Sequence, residues 1–533
     1  MRFRTMLIIC CLALALPARV AAQENEEHHH HGEGEKLGTV VFPTSCSQDA
    51  QKSFERAVAL LHSFQYTESE KAFVEVASSD SNCAMAHWGE AMALYHQLWD
   101  KPKAATVKEG HNDLKQAMKI KERTPRETEF IQAALLFYDT NKKLDHDART
   151  HRYSDAMGKM YEKYPDDSEV AAFYALSLLT WSPPDDKNYE NRRKAIAVLN
   201  KLFAAQPDHP GAAHYLIHSA DRPQLAPLAL DAARRYAQIA PGSSHAIHMP
   251  SHIFSRMGLW DESIQSNLAA AAQAEREINA HLAEPHYEFH PMDYLGYAFL
   301  QSGREKDAWH VIEEVDTVPE ASASQRAEVK TFFTARYYLE LRDWAHAAAL
   351  PIPSELTGHD RVDSYWARTI GAARMGDVAG ASKDFEDYKS VDDGKDPYRT
   401  LKPGQVSVER QETAAWADYA NGKKDDAVKE MRAAADQEDA DAPEIAMIPA
   451  REMLADMLLE MNQPAEALVE YEKNQKESPN RFNGLYGAAR AAELAGKPEQ
   501  AAGYYSQLLK VCDGGAHSNR PELARAKTLL ATK

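Results

Sequence analysis

The stretch Asn462-Gln463-Pro464-Ala465-Glu466-Ala467-Leu468-Val469-Glu470-Tyr471 places a small residue, Ala467, one helical turn before an aromatic one, Tyr471. The pair returns 34 residues later as Ala501 and Tyr505, and Pro479 stands between the two copies. Residues four apart share one helix face. A small residue on that face lets a second helix approach closely, and a proline ends the helix that precedes it. A unit of this kind cannot bury its apolar face alone, so a fixed 34-residue period predicts helix pairs stacked against their neighbours.

Looser copies extend the pattern toward the N-terminus: Gly422 with Ala427, Gly376 with Ala381 and Phe385, Gly303 with Ala308, Gly258-Leu259-Trp260 with Ser263, and Tyr66, Ser69 and Phe73 in the first unit. With these residues the chain resembles the tetratricopeptide-repeat superfamily over most of residues 46–530. The resemblance implies an all-α, right-handed superhelical solenoid of antiparallel helix pairs with no β-sheet. It also implies a concave groove lined by the first helix of each pair, where an extended segment of a protein or peptide partner binds. The intervals 427–467 and 263–308 exceed the period, so lengthened helices or inserted loops are expected there. Residues 180–186, 351–353 and 391–397 read as loops from their Pro, Gly and Asp content. The organisation expected is a signal peptide over 1–22, a disordered His- and Glu-rich leader over 23–38, an N-terminal solenoid over 39–350 and C-terminal repeats over 351–533, with a bend near 351–361.

The ends of the chain carry separate messages. Arg2 and Arg4, an apolar run from Met6 to Leu16 and Val20-Ala21-Ala22 read as an export signal cleaved after Ala22, giving a periplasmic or secreted protein. Four consecutive histidines, His28 to His31, lie in the leader and read as a metal-scavenging tract, a tag remnant or a solvated run. After cleavage three of the five cysteines remain. Successive repeats place the starts of their first helices side by side, so Cys46 and Cys83 are the expected disulfide, with a pair of unbridged small residues as the alternative. The 533 residues are 44% hydrophobic and carry a formal charge of -19. That balance supplies ample core and disfavours nucleic acid or anionic membrane as a partner, since both require a basic face. No later stretch has the roughly 20 apolar residues of a membrane span.

The chemistry concentrates in histidines. His214 and His218 occur as His-Tyr-Leu-Ile-His, His245, His248 and His252 as His-Ala-Ile-His-Met-Pro-Ser-His, and His286 and His290 as His-Tyr-Glu-Phe-His. These seven of the 23 histidines fall within 77 residues, a window that also holds His281. Spacing by four puts two imidazoles on one helix face. His214 to His248 and His218 to His252 are both one 34-residue period, so these four are expected to converge from adjacent first helices. Aligning the turns at Gly258 and Gly303 makes His290 the counterpart of His245 and Asp293 that of His248. His286, His290 and Asp293 share a stripe if the helix runs through Pro291, and His286 drops out if Pro291 opens it. Pro250 is expected to bend the helix where the ligands meet. Asp221 extends the His214, His218 stripe by one turn.

Imidazole nitrogens of this kind bind zinc or copper, and a nearby carboxylate orients a ring through its second nitrogen. The leading expectation is an exported scaffold with a transition-metal site of His214, His218, His248 and His252, backed by His245, His286, His290 and Asp293. Met249, Met257 and Met292 beside them make copper worth testing. Two alternatives stay open: a metal-free adaptor whose histidines hydrogen-bond in a groove or recognise an acidic peptide, and a metal-dependent enzyme. The latter needs an open coordination position and a general base, for which Glu288 is the neighbour to hand. The segments His87-Trp88-Gly89 and His96 with Trp99, and His62 on the first helix, read more readily as packing than as ligand binding. Phosphate loops, nucleophile elbows, Cys-x-x-Cys pairs and the His-Glu-x-x-His signature are all missing, so kinase, hydrolase and thiol-redox chemistries lack their parts.

Overall fold

Helices beginning at Gln48–His62, Tyr66–Ser79 and Ala84–Ala93 follow one another through short turns and pack as antiparallel neighbours, and this alternation continues to Pro521–Ala531. The computed structural model describes residues 36–98, 101–141, 143–181, 188–395, 405–441 and 448–531, and every regular element among them is a helix. The expected signal peptide, the histidine tract at 28–31 and Trp99 lie outside the described residues.

The packing device read from the sequence recurs at both ends of the chain. A Cβ on Gly89 would lie 2.2 Å from the ring of Phe73, and one on Gly487 would lie 2.2 Å from the ring of Tyr471. In both places an aromatic residue fills the space that a glycine 16 residues later leaves open on the next helix (73 to 89, 471 to 487). Helix starts are capped in the usual way. Thr124 and Glu127 form a capping box around Pro125, Ser322 and Gln325 form another, and Asp167 accepts from the amides of Glu169 and Val170. Cys83 is the residue before the helix Ala84–Ala93, and it is bonded to Cys46 with the two Cα atoms 4.4 Å apart.

Two features depart from an open solenoid. The segment from Lys36 crosses earlier and later helices: Thr39 donates to the Asp208 carbonyl, Gly242 donates to that of Lys36, and Phe42 is buried among Phe54, Trp88 and Phe130. The C-terminal helices return to the middle of the chain. Trp260 Nε1 donates to the Asn480 carbonyl at 2.8 Å, and the Gly258 turn, at φ 63°, packs so closely that a Cβ there would meet the Pro479 carbonyl at 2.5 Å. Arg481, fully buried, pairs with Glu340 at 2.7 Å and Glu452 at 2.9 Å and donates to the Tyr297 hydroxyl. The stretch Pro351–Leu356 and a short 3-10 turn, Gly358–Arg361, lie outside the α-helices at the expected bend.

Candidate metal centre

Four helices supply the histidines. Pro210–Ala220 starts with Pro210 in its first turn, where no amide is missed, and its N-cap is His209, whose Nδ1 accepts from the Ala212 amide. Ser243 caps the short helix Ser244–His248. Pro250 then breaks the run, and a second helix, Pro250–Arg256, carries His252. The helix His286–Gln301 runs through Pro291, so His286 is its first residue rather than a loop residue.

The imidazoles assemble as two groups of three. His214 Nε2 lies 3.1 Å from His218 Nε2 and 3.1 Å from His245 Nε2. His248 Nε2 lies 3.0 Å from His252 Nε2, and His290 joins them with its ring 4.4 Å from that of His248 and 5.9 Å from that of His252. Within each group one nitrogen from every ring falls within 4.8 Å of the other two. The four histidines related by the repeat period are therefore shared between two groups, and His245 and His290 complete them. The groups adjoin, with ring centres of His218 and His252 at 6.3 Å and of His245 and His248 at 6.4 Å.

Two of the sequence candidates are placed elsewhere. His286 is largely exposed and sits 3.6 Å from Glu284. Asp293 pairs with the Arg336 guanidinium at 2.5 Å, and its backbone carbonyl accepts from the same arginine. Asp293 leaves the stripe because Arg336 on the helix Ala323–Glu340 draws it, and His286, the first residue of its helix, is left in solvent.

The outer nitrogens show which way each ring presents its lone pair. His214 Nδ1 donates to the backbone carbonyl of His62 at 2.6 Å. His252 Nδ1 donates to Asp221 at 2.9 Å, and the other Asp221 oxygen accepts from Arg256 at 2.8 Å. Burial alone would raise the Asp221 pKa, but the Arg256 guanidinium and His252 hold this carboxyl well below its usual range. His248 Nδ1 faces the Asn267 side-chain oxygen at 2.7 Å, and that amide is fixed because its nitrogen donates to the Ser263 carbonyl. A carbonyl or carboxylate can only accept, so His214, His248 and His252 carry their protons on Nδ1 and direct lone pairs inward from Nε2. Two such lone pairs 3.0 Å apart, on His248 and His252, cannot hydrogen-bond each other while both rings are neutral, and either a proton or a metal ion between them reconciles them.

Burial opposes the proton at five of the six rings. It pushes the His214, His218, His245 and His248 pKa values well below the ordinary imidazole range, with help from the neighbouring rings, and lowers that of His290 to about 3. A metal ion suits the spacing of the His214–His218, His214–His245 and His248–His252 nitrogens, since bonds of about 2.0–2.1 Å at tetrahedral angles put ligand nitrogens roughly 3.3 Å apart. Five of the six rings are buried, and His290 is the half-buried member that meets solvent.

Aromatic walls complete the centre. Phe64 lies 4.4 Å from the His214 ring and 5.4 Å from that of His218. Tyr294 lies 4.9 Å from His248 and 4.8 Å from His252. Phe64 holds its place with a left-handed backbone, φ 57°, which costs a non-glycine residue about 1–2 kcal/mol. The same left-handed turn ends other helices of the chain at Gly258, Gly303, Arg342 and Asn462, so it is the turn of the repeat that sets Phe64 against the histidines.

A neighbouring trio, His62, Glu169 and His209, is read as a brace. His62 Nε2 and His209 Nε2 contact the two Glu169 oxygens at 2.8 and 3.0 Å, and His62 Nδ1 contacts the Tyr215 hydroxyl at 2.8 Å. Burial would raise the Glu169 pKa, yet the two histidines bring it down to about 2. With these partners filled, the trio fixes the backbone that carries the His62 carbonyl. His62, Phe64, Asn267 and Tyr294 were not legible as site residues, because their roles depend on contacts across long stretches of chain.

No family model matches the chain, and no curated protein matches it. Among solved structures, the human IFIT1 dimer with m7Gppp-AAAA is 13% identical, covering 80% of this chain and 90% of that one at a TM-score of 0.35. A monomeric mutant of IFIT1 with Gppp-AAAA is 11% identical, with coverages of 87% and 100% and a TM-score of 0.36. Scores at this level carry no argument about this chain's function.

Proposed function

We propose that this chain is an exported helical-repeat protein whose purpose is to bind transition-metal ions, zinc or copper, in two three-histidine sites: His214, His218 and His245, and His248, His252 and His290. The observation that carries this reading is the inward meeting of Nε2 atoms whose rings are already oriented through Nδ1 by a carbonyl, a carboxylate and an amide oxygen. Ligating histidines are held in this way by outer hydrogen bonds that fix tautomer and ring angle. All six donors are imidazoles, a set that suits zinc and copper better than magnesium, calcium or manganese, which prefer oxygen. The Cys46–Cys83 disulfide supports delivery to an oxidising compartment after signal cleavage near Ala22.

The test is elemental analysis of the full exported chain with His28 to His31 replaced by alanine, so that only the buried histidines report. Two equivalents of zinc or copper are expected, falling when His214 and His218 are changed to alanine and again when His248 and His252 are. No bound metal after reconstitution with each ion would refute the reading and leave the helical surfaces as a scaffold for a protein partner.

A further inference from the structure

Resting on the metal reading, we propose that the two sites act as one paired copper centre that takes up dioxygen between the ions. Three features of the geometry lead there.

The first is adjacency. His245 belongs to one group and His248, three residues later on the same five-residue helix, to the other. Residues three apart on a helix have Cβ atoms only about 5–6 Å apart, and ring centres across the boundary stand at 6.3 and 6.4 Å. Two ions held by such rings fall within reach of one diatomic ligand. Paired metal sites that share a substrate place their ions about 3.5–4 Å apart.

The second is an open position on each ion. Three imidazoles leave a four-coordinate ion one vacancy, the arrangement of reactive rather than structural sites. The repeat relation between His214 with His218 and His248 with His252 makes the two donor sets alike, so both ions would be oxidised and reduced together. Phe64 packs on one group and the Tyr294 ring on the other, with the Tyr294 hydroxyl 3.2 Å from His252 Nδ1.

The third is charge. Neither donor set contains a carboxylate, and Asp221, which orients His252, already answers Arg256. Two divalent ions would bring four positive charges into a buried site whose neighbouring carboxylate, Asp221, is already paired with Arg256, which is costly. Two copper(I) ions bring only two. When dioxygen enters, each copper(I) gives up one electron and becomes copper(II), and dioxygen accepts both and becomes peroxide. The O–O double bond becomes a single bond, one oxygen bonds to each copper, and no proton moves. The dianion formed between the ions offsets the two charges that oxidation adds.

The experiment uses the full exported chain with His28 to His31 changed to alanine, loaded anaerobically with copper(I) and then exposed to dioxygen. Two coppers per chain, uptake of one dioxygen per chain in an oxygen electrode, a new near-ultraviolet charge-transfer band and no copper(II) paramagnetic signal are expected. His245→Ala and His290→Ala each remove a ligand from one group, and each should abolish uptake entirely rather than halve it. Two coppers that give a full paramagnetic signal for two isolated ions, half the uptake in each variant, or indifference to dioxygen overturns the pairing while leaving the metal reading in place. Failure to retain either copper or zinc overturns both.

Discussion

The backbone carbonyl of His62 accepts the Nδ1 proton of His214 at 2.6 Å, across 152 residues of sequence. The first helix pair therefore sets the tautomer of a ring several helices away. The pressure point is Gly211, where a Cβ would lie 2.5 Å from His62 Nδ1. Gly211→Ala should displace the His62 ring and its backbone and weaken metal at His214, His218 and His245 by about 10–100-fold, as loss of an outer partner does elsewhere. Competition with a chromophoric chelator reads this directly, and an unchanged titration would show that the carbonyl does not tune the site.

The complementary change is Asp221→Asn. One carboxylate serves His252 through one oxygen and Arg256 through the other. An amide has a single acceptor oxygen and must abandon one of them. Affinity should fall by about 10–100-fold at His248, His252 and His290, with the other group retained. The same chelator titration should then show one weakened ion and one normal ion.

Away from the centre, Asp113 sits with Glu90, Glu109 and Glu70, and burial followed by these like charges raises its pKa from 3.8 to about 6. Between those values the folded chain holds the proton more firmly than the unfolded one, so stability falls as pH rises and the penalty is complete above about 6. Asp113→Asn should stabilise the protein at pH 7 by on the order of 1 kcal/mol, after allowance for solvent screening of this half-buried group. The gain should vanish below pH 4. Thermal melts at the two pH values test it, and an equal gain at both would assign the effect to something other than charge.

Arg481 is the buried cation that joins the C-terminal helices to the middle ones through Glu340 and Glu452. Arg481→Met leaves two buried carboxylates without their partner and should cost about 3–5 kcal/mol. Chemical denaturation should show it as an earlier midpoint, whereas Arg525→Met, at an exposed ion pair with Glu493, should move the midpoint little.

Reduction of Cys46–Cys83 opens a loop with a sequence separation of 37. Chain entropy puts the loss at about 4 kcal/mol. The Cys46→Ser, Cys83→Ser double variant should melt earlier than the oxidised parent and coincide with the reduced one.

Much of this was written in local spacing. The Ala467–Tyr471 and Ala501–Tyr505 pairs foretold stacked helices, and four-residue intervals put His214 with His218 and His248 with His252. The third ligand of each group was harder to rank. It depends on the break at Pro250 and on the 20-residue helix Trp260–Asn279, which together stretch the repeat beyond 34 residues. Aligning on the turns at Gly258 and Gly303 rather than on the period is what makes His290 the partner of His245's position. His286 and Asp293 shared a stripe with His290 on paper, but a helical stripe says nothing about which neighbouring helix faces each turn, and Arg336 faces Asp293. The orienting groups, His62 carbonyl and Asn267 among them, lie on helices whose meeting no local pattern encodes.

The return of the C-terminal helices also bears on how the protein is made. An open repeat array can fold outward from any unit as it emerges, because each unit needs only its neighbours. Here Trp260 and Asn480 meet across 220 residues, and such distant contacts come late and slowly. All six clustered histidines precede residue 291, whereas Asn480 and Arg481 come about 190 residues later. During N-to-C synthesis the histidines therefore emerge well before the helices that Trp260 and Glu340 will meet. That interval sets an order in which the histidine cluster can form first and the long-range contacts through Asn480 and Arg481 afterwards.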